Sequence, residues 1–174
     1  MSKNSKLLNS QESKLYNKIL LLSRNKLFYT KLALTDTFQN RINLIFIHIS
    51  FLFIKMKQNN QNNEYKKIFQ KAFDLTFERI ELNMRELGYG DVTVNKNMKF
   101  LVKSFYNILL NCENYINKND QSKNSFFLEY LEIKKLKSNN NNNDLIDYFN
   151  KFYSFCFDLP QDSVLKGEFN FNYK

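Results

Sequence analysis

With 174 residues and a mass of 21.0 kDa, the chain is long enough for one domain with a substantial core, or one domain plus tails. Eighteen Phe, ten Tyr and a 43% hydrophobic content exclude a chain that is disordered by composition, and three Gly with one Pro count against turn-rich sandwiches, barrels and Gly-rich phosphate loops. The net charge of +9 is concentrated in residues 1–35, where seven cations face Glu12 alone.

Such a basic arm suits an anionic partner, rRNA or a lipid headgroup surface; solubility is the equal alternative. Lys outnumbers Arg by 22 to 4, a bias that runs through the whole chain. Against it, Arg24, Arg41, Arg79 and Arg85 stand out, because a guanidinium offers a planar fork that an ammonium cannot copy. Arg41 and Arg85 are the two most informative, while an ordinary intrahelical ion pair is the reading for Arg79.

Residues 1–10 read as a flexible basic tail, followed by an all-α domain over 11–160 and a C-terminal tail over 161–174. A first helix covers about Glu12–Leu27, and Phe28–Thr35 is a connector apolar enough to pack down. Thr35 or Asp36 is positioned to cap a second helix running to about Lys57. Within it, Ile42–Ile54 is the longest apolar run. Thirteen residues reach about 20 Å as a helix, short of the ~30 Å bilayer core, so a buried core helix is expected. The N-terminus has no continuous apolar stretch with a small-residue cleavage site, so no secretory signal is expected.

Asn59–Asn63 reads as a loop. The third helix, about Glu64–Leu87, carries Phe69, Phe73, Phe77, Ile80, Met84 and Leu87 at steps of three and four, one stripe on a helix. Two of the three glycines follow, Gly88 and Gly90, in a tight corner; a glycine directly after a helix takes the left-handed conformation that ends it. The fourth helix, about Asn95–Asn117, repeats the stripe, so the pair forms a central antiparallel hairpin. A short helix at Phe126–Lys137, an exposed low-complexity run at Ser138–Asn143 and an aromatic helix over Asp144–Phe157 complete a single compact domain of five to six helices. Phe169–Lys174 alternates like a strand with nothing to pair with.

Catalysis needs an activated nucleophile, an acid–base pair or a metal. His48, the one imidazole, lies in the most apolar helix and reads as a satisfied core histidine. Cys112 and Cys156 sit in apolar stretches as buried thiols, and no C-x-x-C or H-x-x-x-H spacing marks a metal site. Glu78 and Glu81, three residues apart, lie near no marked cleft. No catalytic residue, metal or cofactor is expected; a small enzyme would need an open cleft around His48.

Two blocks carry a resemblance. Tyr29–Phe53, with D-T-F-x-x-R at Asp36–Arg41, and Phe73–Phe105, with R-E-L-G-Y-G-D at Arg85–Asp91 and a V-x-K-x-M-K stretch after it, resemble the ubiquinol–cytochrome c chaperone family. The blocks span about residues 29–116. Phe105–Tyr106–Asn107–Ile108 stands where relatives carry F-Y-G-R, and Glu78 replaces the usual Asp.

The resemblance implies an assembly factor for the cytochrome bc complex that holds newly made cytochrome b; the family's mitochondrial members receive it near the ribosome exit and work with a small partner protein. It places the chain on the cytoplasmic face of a bacterial inner membrane, with the mitochondrial matrix side as the alternative. Asp36, Arg41, Arg85, Glu86, Asp91 and Lys96 fall in the matched blocks. They are expected to line one charged surface that contacts a client or partner, or to brace the Gly88–Gly90 corner. The competing functional class is a basic RNA- or ribosome-binding helical module.

Overall fold

The apolar run dictates the architecture. In the computed structural model, which describes residues 11–58, 64–134 and 141–173, every residue from Ile42 to Ile54 is buried. A helix apolar on all sides needs neighbours on all sides. The elements in chain order are α1 (Gln11–Ser23), α2 (Leu27–Thr30), α3 (Phe38–Gln58), α4 (Glu64–Glu86), α5 (Asp91–Glu113), a 3-10 turn (Tyr115–Asn117), α6 (Asp120–Tyr130), α7 (Asn141–Asp158) and α8 (Gln161–Lys166). α3 is the hub, with α1, α4, α5, α7 and α8 all packed against it.

The α4–α5 hairpin exists, and its arms stay together away from the bend. Phe73 meets Tyr106 with ring centroids 5.9 Å apart, and the two residues lie at similar distances in sequence from Gly88–Gly90. Yet α5 leans more on α3 than on α4. One aromatic triad ties the three helices together: Phe46 lies 5.5 Å from Phe77 and 5.3 Å from Phe105, which are 5.9 Å from each other. Such offset and edge contacts add roughly 0.5–1.5 kcal/mol per pair beyond burial.

Several boundaries differ from the sequence expectation. α3 is capped by Thr37, whose Oγ1 accepts from the Asn40 amide at 3.2 Å. The two expected caps are engaged elsewhere: the Thr35 amide donates to the Glu132 carbonyl, and Asp36 pairs with Arg41. Leu87 falls just beyond α4 and is 62% exposed, so the stripe ends at Met84. α5 begins at once after Gly90, four residues earlier than the stripe alone indicates.

The expected helix Phe126–Lys137 instead spans Asp120–Tyr130, capped by the Asn119 side chain, which accepts from the Ser122 amide. Residues 131–134 are extended because they pair with the connector. Leu34 and Ile133 form an antiparallel bridge, and the Asn40 amide side chain clamps Glu132 by accepting from its N–H and donating to its carbonyl. Ala33 adopts φ +54° to allow this turn, a strained position for a residue with a Cβ.

The expected loop at 59–63, residues 1–10 of the arm and the first half of the Asn run lie outside the described residues; the run's later asparagines open α7. Residues 161–173, expected as a tail, carry α8 and an extended aromatic segment. No strand pairs with that segment among the described residues. Instead Phe171 lies 5.5 Å from Tyr148 and 5.2 Å from Phe152, and the Tyr173 hydroxyl donates to Asp147.

Candidate functional site

Four of the charged residues singled out in the matched blocks, Asp36, Arg41, Arg85 and Asp91, fall into two clusters. Arg41 grips Asp36 with both ends of its fork, Nε to Oδ1 at 2.7 Å and Nη2 to Oδ2 at 2.9 Å. Those hydrogen bonds hold the Asp36 carboxyl below its ordinary range. The guanidinium also lies 5.9 Å from the Tyr29 ring centre. Both partners are half exposed, so the pair contributes little to stability on its own.

Arg85 makes the second cluster. It donates to Glu81 within α4 through Nε and Nη2, and to Asp91 at the start of α5 through Nη1. One side chain therefore crosses the corner. Gly88 within it has φ +86° and closes a Schellman motif: its amide donates to the Arg85 carbonyl, and the Tyr89 amide to that of Met84. Gly90 is different. It is the α5 N-cap at φ −71°, and an added Cβ would meet nothing within 4 Å, so its geometry demands no glycine.

Glu86 links the clusters to a groove. Leu20, Ile42, Ile45 and Ile80 of α1, α3 and α4 form its floor, and Arg24, Arg41 and Glu86 its rim, around a volume of about 260 Å³. It continues between α1 and α4 into a hollow of about 270 Å³ beside Tyr16, Leu75 and Arg79. Burial raises the Tyr16 hydroxyl's pKa, while Arg24 and Arg79 pull it back. Three of the four arginines thus surround one apolar-floored groove.

Among the described residues neither Arg24 nor Arg79 makes an ion pair. The intrahelical pair expected for Arg79 is not formed among the described residues, whereas Glu81 and Arg85, four residues apart on one face of the helix, pair as their spacing predicts. Lys96 joins neither cluster and stands exposed on α5.

Two other hollows contrast with this one. Phe53, Ile54, Phe69 and Leu109 line about 360 Å³, but two of the three rim charges there, Lys57 and Glu113, satisfy each other at 2.9 Å and leave Lys66 as the third. A wider groove of about 730 Å³ between α3, α5 and α6 has a polar wall, where Asn40 and Asn43 are committed to the backbone of residues 130–132.

His48 is fully enclosed. Its Nδ1–H donates to the Leu44 carbonyl at 2.6 Å, which leaves Nε2 to accept from the Tyr148 hydroxyl at 2.9 Å. Burial lowers its pKa from 6.5 to about 4. It is a satisfied core histidine, closed off from solvent. Burial pushes both thiols, Cys112 and Cys156, well above their ordinary range. Among the described residues no group of three or more His, Cys, Asp or Glu is arranged to hold a metal.

Comparison with known proteins follows the same lines. Residues 30–171 match the model of the family described as ubiquinol–cytochrome C chaperone. A crystal structure of the Cbp3 homolog from Brucella abortus superposes with a TM-score of 0.79 at 22% identity, over 98% of this chain and 93% of that one. At that identity the likeness speaks for the fold. No curated protein matches.

Proposed function

The chain belongs to the ubiquinol–cytochrome c chaperone family, and from that premise we propose that its client is newly made cytochrome b, held in the groove between α1, α3 and α4. It is an assembly chaperone of the cytochrome bc complex and not an enzyme. The family match over residues 30–171 carries the reading.

The groove supplies what a holder of greasy polypeptide requires. Aliphatic side chains on the floor take up apolar residues without demanding a sequence, and a charged rim sets orientation. Arg24 and Arg79, free of ion pairs among the described residues, are available to a carboxylate or a chain-end group of the client; Arg41, already gripped by Asp36, is held as a fixed part of the rim. Asp36, Arg85, Asp91 and Gly88 act behind the rim, fixing the ends of α3, α4 and α5. No helix among the described residues is long and apolar enough to cross a membrane.

Co-purification from membranes with a tagged copy tests the proposal. Cytochrome b or its assembly intermediates should appear in the eluate, and an Arg24→Glu/Arg79→Glu variant with unchanged circular dichroism should lose them. Deletion should lower the bc complex and spare other respiratory enzymes. An eluate free of cytochrome b together with unchanged bc levels refutes it. Capture of ribosomes through the basic arm, falling steeply with salt, would favour the RNA-binding alternative.

A further inference from the structure

The outward face of α5 plays no part in the groove between α1, α3 and α4, and its composition sets it apart. One side of this helix is core: Val94, Leu101, Phe105, Ile108 and Cys112 are all buried. On the opposite side, steps of four, three, four and seven residues bring Val92, Lys96, Lys99, Lys103 and Leu110 into one line, with Phe100 beside it. Val92 is 84%, Phe100 62% and Leu110 63% exposed. From Val92 to Leu110 the line runs about 27 Å along the surface at 1.5 Å per residue.

The charges on this line have one sign. The acidic residues of α5 stand at its two ends and are both engaged, Asp91 by Arg85 and Glu113 by Lys57. Lys96, Lys99 and Lys103 have no ion-pair partner among the described residues. The exposed face of α4 differs, mixing Lys66 and Lys71 with Asp74 and Glu78.

We propose that this face of α5 docks the protein on a bilayer carrying anionic lipid. The line of apolar tips between lysines, which at Phe100 and Lys103 also edges the wider groove beside α6, fits a planar interface: Val92, Phe100 and Leu110 enter the headgroup boundary while the flexible lysine stems keep their ammonium groups at the phosphates. Lysines near an anionic surface contribute roughly fivefold each to binding, so the three together supply on the order of a hundredfold.

Sedimentation of the full chain with vesicles provides the test, using phosphatidylcholine alone and phosphatidylcholine mixed with phosphatidylglycerol. Binding is expected to the mixed vesicles, weakening as salt rises, and a Lys96→Glu/Lys99→Glu/Lys103→Glu variant, which reverses the three charges, should lose at least the hundredfold they supply. The natural chain contains no Trp, so Phe100→Trp supplies one reporter, whose emission should shift to the blue on mixed vesicles. That measurement decides the matter even if the triple variant does not fold. Unchanged vesicle binding by a folded triple variant, an unshifted emission, or loss of binding only with Lys3→Gln/Lys6→Gln in the arm overturns the proposal. So does a triple variant that loses ribosomes or cytochrome b but keeps vesicles. A chain that captures cytochrome b in detergent and ignores vesicles refutes this docking face and leaves the client groove standing.

Discussion

Lowering the pH from 6.5 to 4 should destabilise the fold by about 3 kcal/mol through His48 alone. In the unfolded chain this imidazole takes up its proton near pH 6.5; in the bundle burial delays that to about pH 4. Between the two values the unfolded state binds one more proton, so stability falls as pH falls, and the loss levels off below pH 4. The 2.5-unit interval at 1.36 kcal/mol per unit gives the figure. Carboxylates held low by partners, Asp36 and Asp147, act on the acid side of this window, because their unfolded counterparts protonate only near 3.8. The assay is urea unfolding followed by circular dichroism across the interval. Its comparison is a His48→Phe/Tyr148→Phe variant, which removes both ends of the buried hydrogen bond and orphans neither. The variant's curve should be flatter by about 1.4 kcal/mol per pH unit. Equal slopes in the two proteins would refute the assignment, as would an NMR titration showing the imidazole protonating near pH 6.5 in the folded chain.

Gly167 is the least replaceable glycine. It sits at φ +65°, and an added Cβ would lie 2.8 Å from the Leu15 amide nitrogen in the backbone of α1. Gly167→Ala should cost about 2–4 kcal/mol, left-handed strain plus displacement of a packed helix, read from the urea midpoint. Gly88→Ala meets open space and should cost only about 1 kcal/mol, whereas Gly90→Ser, at an N-cap, should gain a few tenths. Above pH 10 stability should fall steeply, since unfolded tyrosines ionise there while Tyr130 and Tyr173 are pushed up to about 12 and Tyr115 and Tyr148 further. Spectrophotometric titration should show them ionising together with unfolding; free titration near pH 10 would contradict the burial.

The helices that periodicity reveals are those with one wet and one dry side. The α4 stripe from Phe69 to Met84 and the apolar run of α3 were legible for that reason. Ends were harder. Asn119 caps α6, but in so Asn-rich a chain one asparagine carries no signal, and Gly90 caps α5 without any side chain to announce it. The extended stretch after α6 depends on Asn40, 92 residues earlier, so no local pattern marks it.

The same division holds for the site. Four arginines in a lysine-rich chain mark positions where the fork matters, and Arg41 and Arg85 both use it on carboxylates. The groove was not legible, because it arises where α1 meets α4 and brings Arg24 to Arg79 from distant parts of the chain. The charged residues of the matched blocks divide: Arg85 and Asp91 brace the glycine corner, while Lys96 turns away, on a helix whose inner side is taken by core.

The two enclosed thiols give the bundle built-in clocks. Cys112 rides on α5 and Cys156 on α7, each wholly shielded from solvent. An alkylating reagent reaches either one only after its own helix has swung clear, so the pair of labelling rates times the departure of two different walls. Matching rates would mean the chain comes apart in one step; a faster Cys156 would mean that the aromatic side peels away first.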